Sequence, residues 1–120
     1  MEVIMEKINW NKKRNEWAEN MNPSPIWNEG TDDQQEFADN LVTRFCKNLS
    51  KYLCLAVQDN LITISDAENI VNSIFYAIND IDNAKWWCNK KNSTEFSIAL
   101  KLLEDNDSEK ELIKKIQKSN

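Results

Sequence analysis

The residues of this chain that could do chemistry are mainly its carboxylates, because it has no histidine, one glycine and three cysteines. Without histidine, the commonest general base, the Ser–His and Cys–His nucleophile pairs and most zinc and iron sites are excluded. A single glycine also excludes a glycine-rich phosphate loop. Cys46, Cys54 and Cys88 form no Cys-x-x-Cys pair and are interpreted as reduced thiols. Cys46 and Cys54, eight residues apart on the long helix, are interpreted as core residues. The remaining route to catalysis is a set of carboxylates that holds a divalent metal ion.

One carboxylate pattern has the spacing for such a site. Glu16 and Glu19 are followed, after sixteen residues, by Glu36 and Asp39. This pattern resembles the Glu-x-x-Glu and Glu-x-x-Asp signature of the all-α nucleoside triphosphate pyrophosphohydrolases and dimeric dUTPases, and the run 36–41 resembles the second motif of that family. The resemblance covers about a fifth of the chain. It implies that the four carboxylates hold Mg²⁺ on adjacent antiparallel helices and that the metal activates water for attack on a phosphate.

A second constellation is aromatic and basic. In the run Lys85–Lys91, two adjacent tryptophans, Trp86 and Trp87, lie among three lysines. Adjacent residues of a helix point about 100° apart, so both rings cannot face one core unless one reaches its rim. Three interpretations remain open: the rings fill the core, one of them is a hot spot for a protein partner, or they stack on single-stranded nucleic acid.

The charge of the chain favours a protein partner over nucleic acid. The formal net charge is −5, and acids exceed bases in both halves of the chain. Such a surface repels duplex DNA and anionic membranes, and it favours partners with basic surfaces. Arg14 and Arg44 are the two arginines, so the guanidinium forks that recognise phosphate and guanine are scarce. A run of acids, Asp32, Asp33, Glu36 and Asp39, lies at the predicted start of the longest helix.

The elements that position these residues are predicted to be helices. Sheet proteins need turn residues at every hairpin, and this chain has one glycine and two prolines. We therefore expect one all-α domain over residues 1–120, a compact bundle of four to six helices. A first helix is predicted from Val3 to Asn20, and it ends before two prolines. The abundance of Asn, Lys and Ile is typical of an AT-rich genome, such as that of a low-GC bacterium or its phage.

The long central helix is predicted over Asp32–Gln58. Thr31 and Gln34 form a capping box at its start. From Ala38 to Ala56, apolar residues follow a heptad-like spacing, which Phe37, Leu41 and Leu53 widen. This seam is available either to the core of one chain or to a homodimer. Three further helix starts are predicted from capping pairs, namely Ser65 with Glu68, Asn92 with Glu95, and Ser108 with Glu111.

These observations favour a non-enzymatic, cytoplasmic protein without a cofactor that docks a helical surface on a protein partner. Toxin-immunity proteins, phage inhibitors of host defence and accessory subunits are of this type, and a nuclease is a suitable target for an acidic face. The expected contacts are Trp86, Trp87, Asp32, Asp33, Glu36 and Asp39. One alternative is the Mg²⁺-dependent enzyme that uses Glu16, Glu19, Glu36 and Asp39. The other is a helical subunit of a ribonucleoprotein that binds RNA through Lys85, Lys90 and Lys91.

Overall fold

The computed structural model describes residues 7–120, which form six α-helices joined by short connections. The helices are α1 (Trp10–Met21), α2 (Asp32–Gln58), α3 (Ile64–Asn79), α4 (Ala84–Cys88), α5 (Glu95–Leu102) and α6 (Asp107–Lys118). No strand forms in this part of the chain, so the predicted all-α bundle of four to six helices is confirmed. None of the described helices is both long enough and apolar enough to cross a bilayer.

Helix α2 has the bounds that the sequence predicts. The Thr31 hydroxyl accepts a hydrogen bond from the Gln34 amide at 3.2 Å, and the Gln34 side chain accepts one from the Thr31 amide at 2.9 Å. Both contacts satisfy donors that the first turn of a helix leaves unpaired. The heptad-like seam is buried within the chain from Ala38 to Ala56, apart from the partly buried Tyr52. The seam therefore serves the core of one chain and does not form a dimer surface.

Other helix starts differ from the sequence-based predictions, by about two turns for α1 and by two residues for α3, α5 and α6. Helix α1 begins at Trp10 because Asn9 caps it, and residues 7–9 are not helical. The predicted start at Val3 lies outside the described residues. Helix α3 is capped by Thr63 in place of Ser65, because Thr63 and Asp66 form a reciprocal capping box. Both pairs, Thr63 with Asp66 and Ser65 with Glu68, have the residue types of a capping box, and the structure uses the pair that lies two residues earlier.

Helices α5 and α6 also begin at N-cap residues other than the predicted ones. Thr94 caps α5, since residues 90–93 are already folded into turns that include Asn92. Asn106 caps α6 two residues before the predicted Ser108, and its side chain accepts from the Glu109 amide at 3.1 Å. In both cases an element exists where the sequence predicts it, and its first residue shifts by two positions.

The core is a continuous cluster of apolar side chains from all six helices. Helix α1 contributes Trp17 and Met21, which are almost fully buried where α1 packs against α2 and α3. The buried Ser50 hydroxyl of α2 donates to the backbone carbonyl of Arg14 at 2.5 Å, so a polar group inside this contact is satisfied. These contacts hold α1 against α2.

Candidate functional site

The structure brings together two segments that are about fifty residues apart in the sequence. The loop before α2 runs beside the segment before α4, with an isolated parallel bridge between Glu29 and Asn83. The Asn28 amide donates to the Asp82 carbonyl at 2.8 Å, and the Ala84 amide donates to the Glu29 carbonyl at 3.1 Å. As a result, the predicted acidic run and the predicted tryptophan segment begin next to each other.

Gly30 is the position that permits this close approach. Its φ is +113°, a conformation that side chains rarely adopt, and a Cβ atom there would lie 2.9 Å from the Cβ of Ala84. Four residues further on, the Gln34 carbonyl accepts a hydrogen bond from the thiol of Cys88 at 3.5 Å. The N-terminal turn of α2 is therefore joined to both ends of α4.

A groove of about 550 Å³ opens between these two elements, and we name it the α2–α4 groove. Phe37 provides its apolar surface and is 42% exposed, although the sequence predicts this ring in the core seam. Phe37 lies about 100° around the helix from the buried Ala38, and the segment 88–92 across the groove covers the ring only in part. Charged and amide groups form the rest of the wall. The lining residues are Asp33, Gln34, Phe37, Cys88, Asn89, Lys91 and Asn92.

The two adjacent tryptophans have different roles. Trp87 is 0% exposed, and its ring lies 5.7 Å from that of Phe45 between centroids. Trp86 is partly buried, packs edge-on against Trp87 at 5.2 Å, and carries the Lys90 ammonium 4.6 Å above its ring. Trp87 is thus a core residue, which corrects its expected role as a contact residue, because α4 directs one ring inward and leaves the other at the rim.

The acidic residues of α2 lie on the surface as expected. Asp32, Asp33 and Glu36 are exposed on the first turns of the helix, where negative charge is favourable beside the helix dipole. Asp39 is also exposed overall, but its Oδ1 accepts a hydrogen bond of 2.8 Å from the indole Nε1 of the buried Trp27. Three of the four acids are therefore available to a partner, and the fourth holds the loop before α2.

The four carboxylates of the metal-site alternative do not converge. No group of three or more His, Cys, Asp or Glu side chains within residues 7–120 is placed to hold a metal ion. Glu16 lies 3.5 Å from the Lys13 ammonium, and Asp39 is bound to Trp27. The resemblance to the pyrophosphohydrolases is therefore not matched by a preformed metal site, and the enzymatic alternative stays a prediction from sequence.

The buried cysteines are unsuited to nucleophilic chemistry at neutral pH. Burial raises the pKa of the Cys46 thiol from 9.0 to about 12. Burial also raises the pKa of Cys54, against the lowering effect of the Arg14 and Lys13 charges. Because the thiolate is the reactive form, both side chains act as core residues, as the sequence predicts.

Comparisons with protein-family models, with curated proteins and with solved structures found no match for this chain. Function is therefore inferred from the chemistry of the surface, because a fold class shared by many unrelated proteins does not specify an activity. The α2–α4 groove combines an exposed aromatic ring with a neighbouring acidic turn. That combination is suited to binding a protein surface.

Proposed function

We propose that this chain is a protein-binding protein that docks a partner with a basic surface at the α2–α4 groove. The observation that carries the proposal is the exposed ring of Phe37 on the same two helical turns as Asp33 and Glu36. An apolar anchor beside charged residues has the composition of a binding hot spot with its polar rim.

The acidic residues on the first turns of α2 favour a partner with a basic surface. Asp32, Asp33 and Glu36 are exposed and form none of the ion pairs found within residues 7–120. Charges at the rim of an interface accelerate association with a partner of opposite sign and oppose partners of like sign. The net charge of −5 acts in the same direction.

The proposed biological role is that of an inhibitor or an accessory subunit. A nuclease or another nucleic-acid-processing enzyme has a basic groove that an acidic helical face can occupy. Toxin-immunity proteins and phage inhibitors of host defence act in this way, and the AT-rich genome inferred from the amino-acid composition fits a bacterial or phage source. This role needs no catalytic group and no cofactor in the chain.

Affinity capture tests the proposal. The tagged chain is incubated with a lysate of the organism that encodes it, with and without nuclease treatment, and bound proteins are identified by mass spectrometry. We expect a stoichiometric protein that is retained after nuclease treatment. A variant combining Phe37→Ala with Asp33→Lys should lose this protein, since it removes the anchor and reverses a rim charge.

The matched control is Tyr76→Ala, which removes another exposed aromatic ring, 67% accessible, from outside the groove. This variant should retain the partner. Equal retention by the Phe37/Asp33 variant and the Tyr76 variant would contradict docking at the α2–α4 groove. A captured protein that is lost on nuclease treatment would instead support the ribonucleoprotein alternative.

A further inference from the structure

A second groove lies on the outer surface where α1 packs against α2, and we name it the α1–α2 groove. It has a volume of about 320 Å³. Each helix contributes three residues with the same spacing, at positions i, i+1 and i+4, so both helices present one continuous strip to the groove. The lining residues are Arg14, Asn15, Ala18, Lys47, Asn48 and Lys51.

The charge of this groove is opposite to that of the protein as a whole. Its lining contains three cations and no carboxylate, whereas the chain has a net charge of −5. The ion pairs found in residues 7–120 join Lys13 to Glu16, Lys101 to Glu104 and Lys114 to Glu111, so none of them uses Arg14, Lys47 or Lys51. The three lining cations are therefore not engaged in any of these ion pairs.

The walls of the groove are held in place by contacts outside it. The Arg14 carbonyl is bound to the buried Ser50 hydroxyl, which holds the α1 backbone against α2. The Asn48 amide donates to the Glu95 carboxylate of α5 at 2.8 Å, and this orients its carbonyl oxygen and leaves one amide hydrogen for another acceptor. Through this hydrogen bond to Asn48, the Glu95 carboxylate lies next to the groove, although it is not one of the lining residues. The small Ala18 side chain leaves space between the cations.

We propose that the α1–α2 groove binds a phosphate-bearing small molecule through Arg14, Lys47 and Lys51. A guanidinium fork matches a phosphate in two parallel hydrogen bonds, and lysine ammonium groups neutralise its remaining charge. The volume is at the lower end of the range for small-molecule sites, which is about 300–1,000 Å³, and suits a diphosphate or a mononucleotide.

A small ligand is preferred over a nucleic-acid strand because of charge distribution. At physiological salt, charges interact strongly only within about 8–10 Å, so a compact anion in the groove interacts mainly with the three lining cations, which outnumber the Glu95 carboxylate bound to Asn48. A long polyanion would extend beyond the groove over a surface where acids outnumber bases, twenty to fifteen. This proposal is independent of protein docking at the α2–α4 groove.

Titration with inorganic pyrophosphate, followed by two-dimensional NMR of the amide groups, tests the proposal. We expect saturable shifts confined to residues near 14–18 and 47–51. The double variant Arg14→Gln with Lys51→Gln should bind at least about tenfold more weakly, because two charge-assisted contacts are lost. The control Lys115→Gln with Lys118→Gln removes the same charge from the exposed end of α6 and should bind like the unmodified chain.

Three results would overturn the proposal: shifts that do not saturate, equal weakening in the control, or tighter binding of succinate than of pyrophosphate. Tighter binding of a single-stranded oligonucleotide than of pyrophosphate would also contradict the proposal, because the ligand of the groove would then be a polyanion. Circular dichroism establishes that each variant is folded. If the double variant does not fold, Lys47→Gln is used in its place, since Lys47 is exposed.

Discussion

The indole Nε1 of Trp27 donates a hydrogen bond of 2.8 Å to Oδ1 of Asp39. This contact joins the loop between α1 and α2 to the second turn of α2, and it occupies a carboxylate that the sequence assigns either to a metal site or to a docking surface. Trp27 is buried, so its polar N–H requires an acceptor. Asp39 therefore has a structural role in this fold.

Replacement of Asp39 by alanine should destabilise the protein by about 1–3 kcal/mol, because it leaves a buried N–H donor without its partner. Chemical denaturation followed by circular dichroism measures this loss. Glu36→Ala, which removes an exposed acid from the same helix, should change the free energy of unfolding by less than about 0.5 kcal/mol. Equal effects of the two substitutions would show that the indole contact adds no stability.

Trp87 and Trp86 should differ sharply in their effect on stability. Trp87→Ala empties a fully buried site against Phe45 and should cost about 3–5 kcal/mol. Trp86→Ala removes a partly buried ring and one cation–π contact with Lys90, so its cost should be clearly smaller. The thermal unfolding midpoints of both variants provide the comparison. If Trp86→Ala were the more damaging change, the assignment of Trp87 to the core would be incorrect.

Gly30→Ala should destabilise the junction between α2 and α4 by about 1–3 kcal/mol, from backbone strain at φ +113° and from contact with Ala84. Adding Ala84→Gly removes the contact while the strain remains. The double variant should therefore unfold at a denaturant concentration closer to that of the native chain than expected from the sum of its single changes. Simple additivity would argue against direct contact between the two positions.

The N-cap of α3 offers a test of the corrected helix start. Thr63→Ala removes a capping box and should cost about 1 kcal/mol. Ser65→Ala lies inside the helix, where alanine has the higher propensity, and should leave stability unchanged or slightly raised. Matched urea unfolding curves distinguish the two positions. A larger loss of stability from Ser65→Ala than from Thr63→Ala would indicate that Ser65 is the N-cap, as the sequence predicts.

Because of Cys46, the free energy of unfolding should decrease as the pH rises above 9.0. Its pKa is about 12 in the folded chain against an ordinary value of 9.0, because burial disfavours the thiolate. The unfolded thiol ionises first, so this contribution is fully present below pH 9.0 and is lost as pH rises toward about 12. The loss amounts to at most about 1.4 kcal/mol for each pH unit in that window.

The matched variant for this effect is Cys46→Ala, which retains every other titrating group. Its free energy of unfolding should fall less steeply above pH 9.0 than that of the unmodified chain. Urea unfolding at several pH values supplies the two slopes. Parallel slopes would mean that Cys46 ionises as readily in the folded chain as in the unfolded one.

The sequence by itself determined the fold class and the central helix of this protein. Scarce glycine and proline predicted helices, and the Thr31–Gln34 box with the apolar seam predicted α2 with its observed bounds. These features are local, because capping and helical periodicity depend on residues within a few positions of one another. Where two residues of one turn can each serve as the N-cap, as Thr63 and Ser65 can, the sequence predicted the helix but not its first residue.

Only the tertiary structure decided which polar and aromatic residues share a surface. Asp33 and Lys91, or Arg14 and Lys51, become neighbours through packing between elements distant in sequence. The burial of Trp87, the exposure of Phe37 and the use of Asp39 by Trp27 likewise depend on how α4 and the α1–α2 loop pack against α2. Periodicity places a side chain on a helix face, and the packing of a second element determines whether that face is covered.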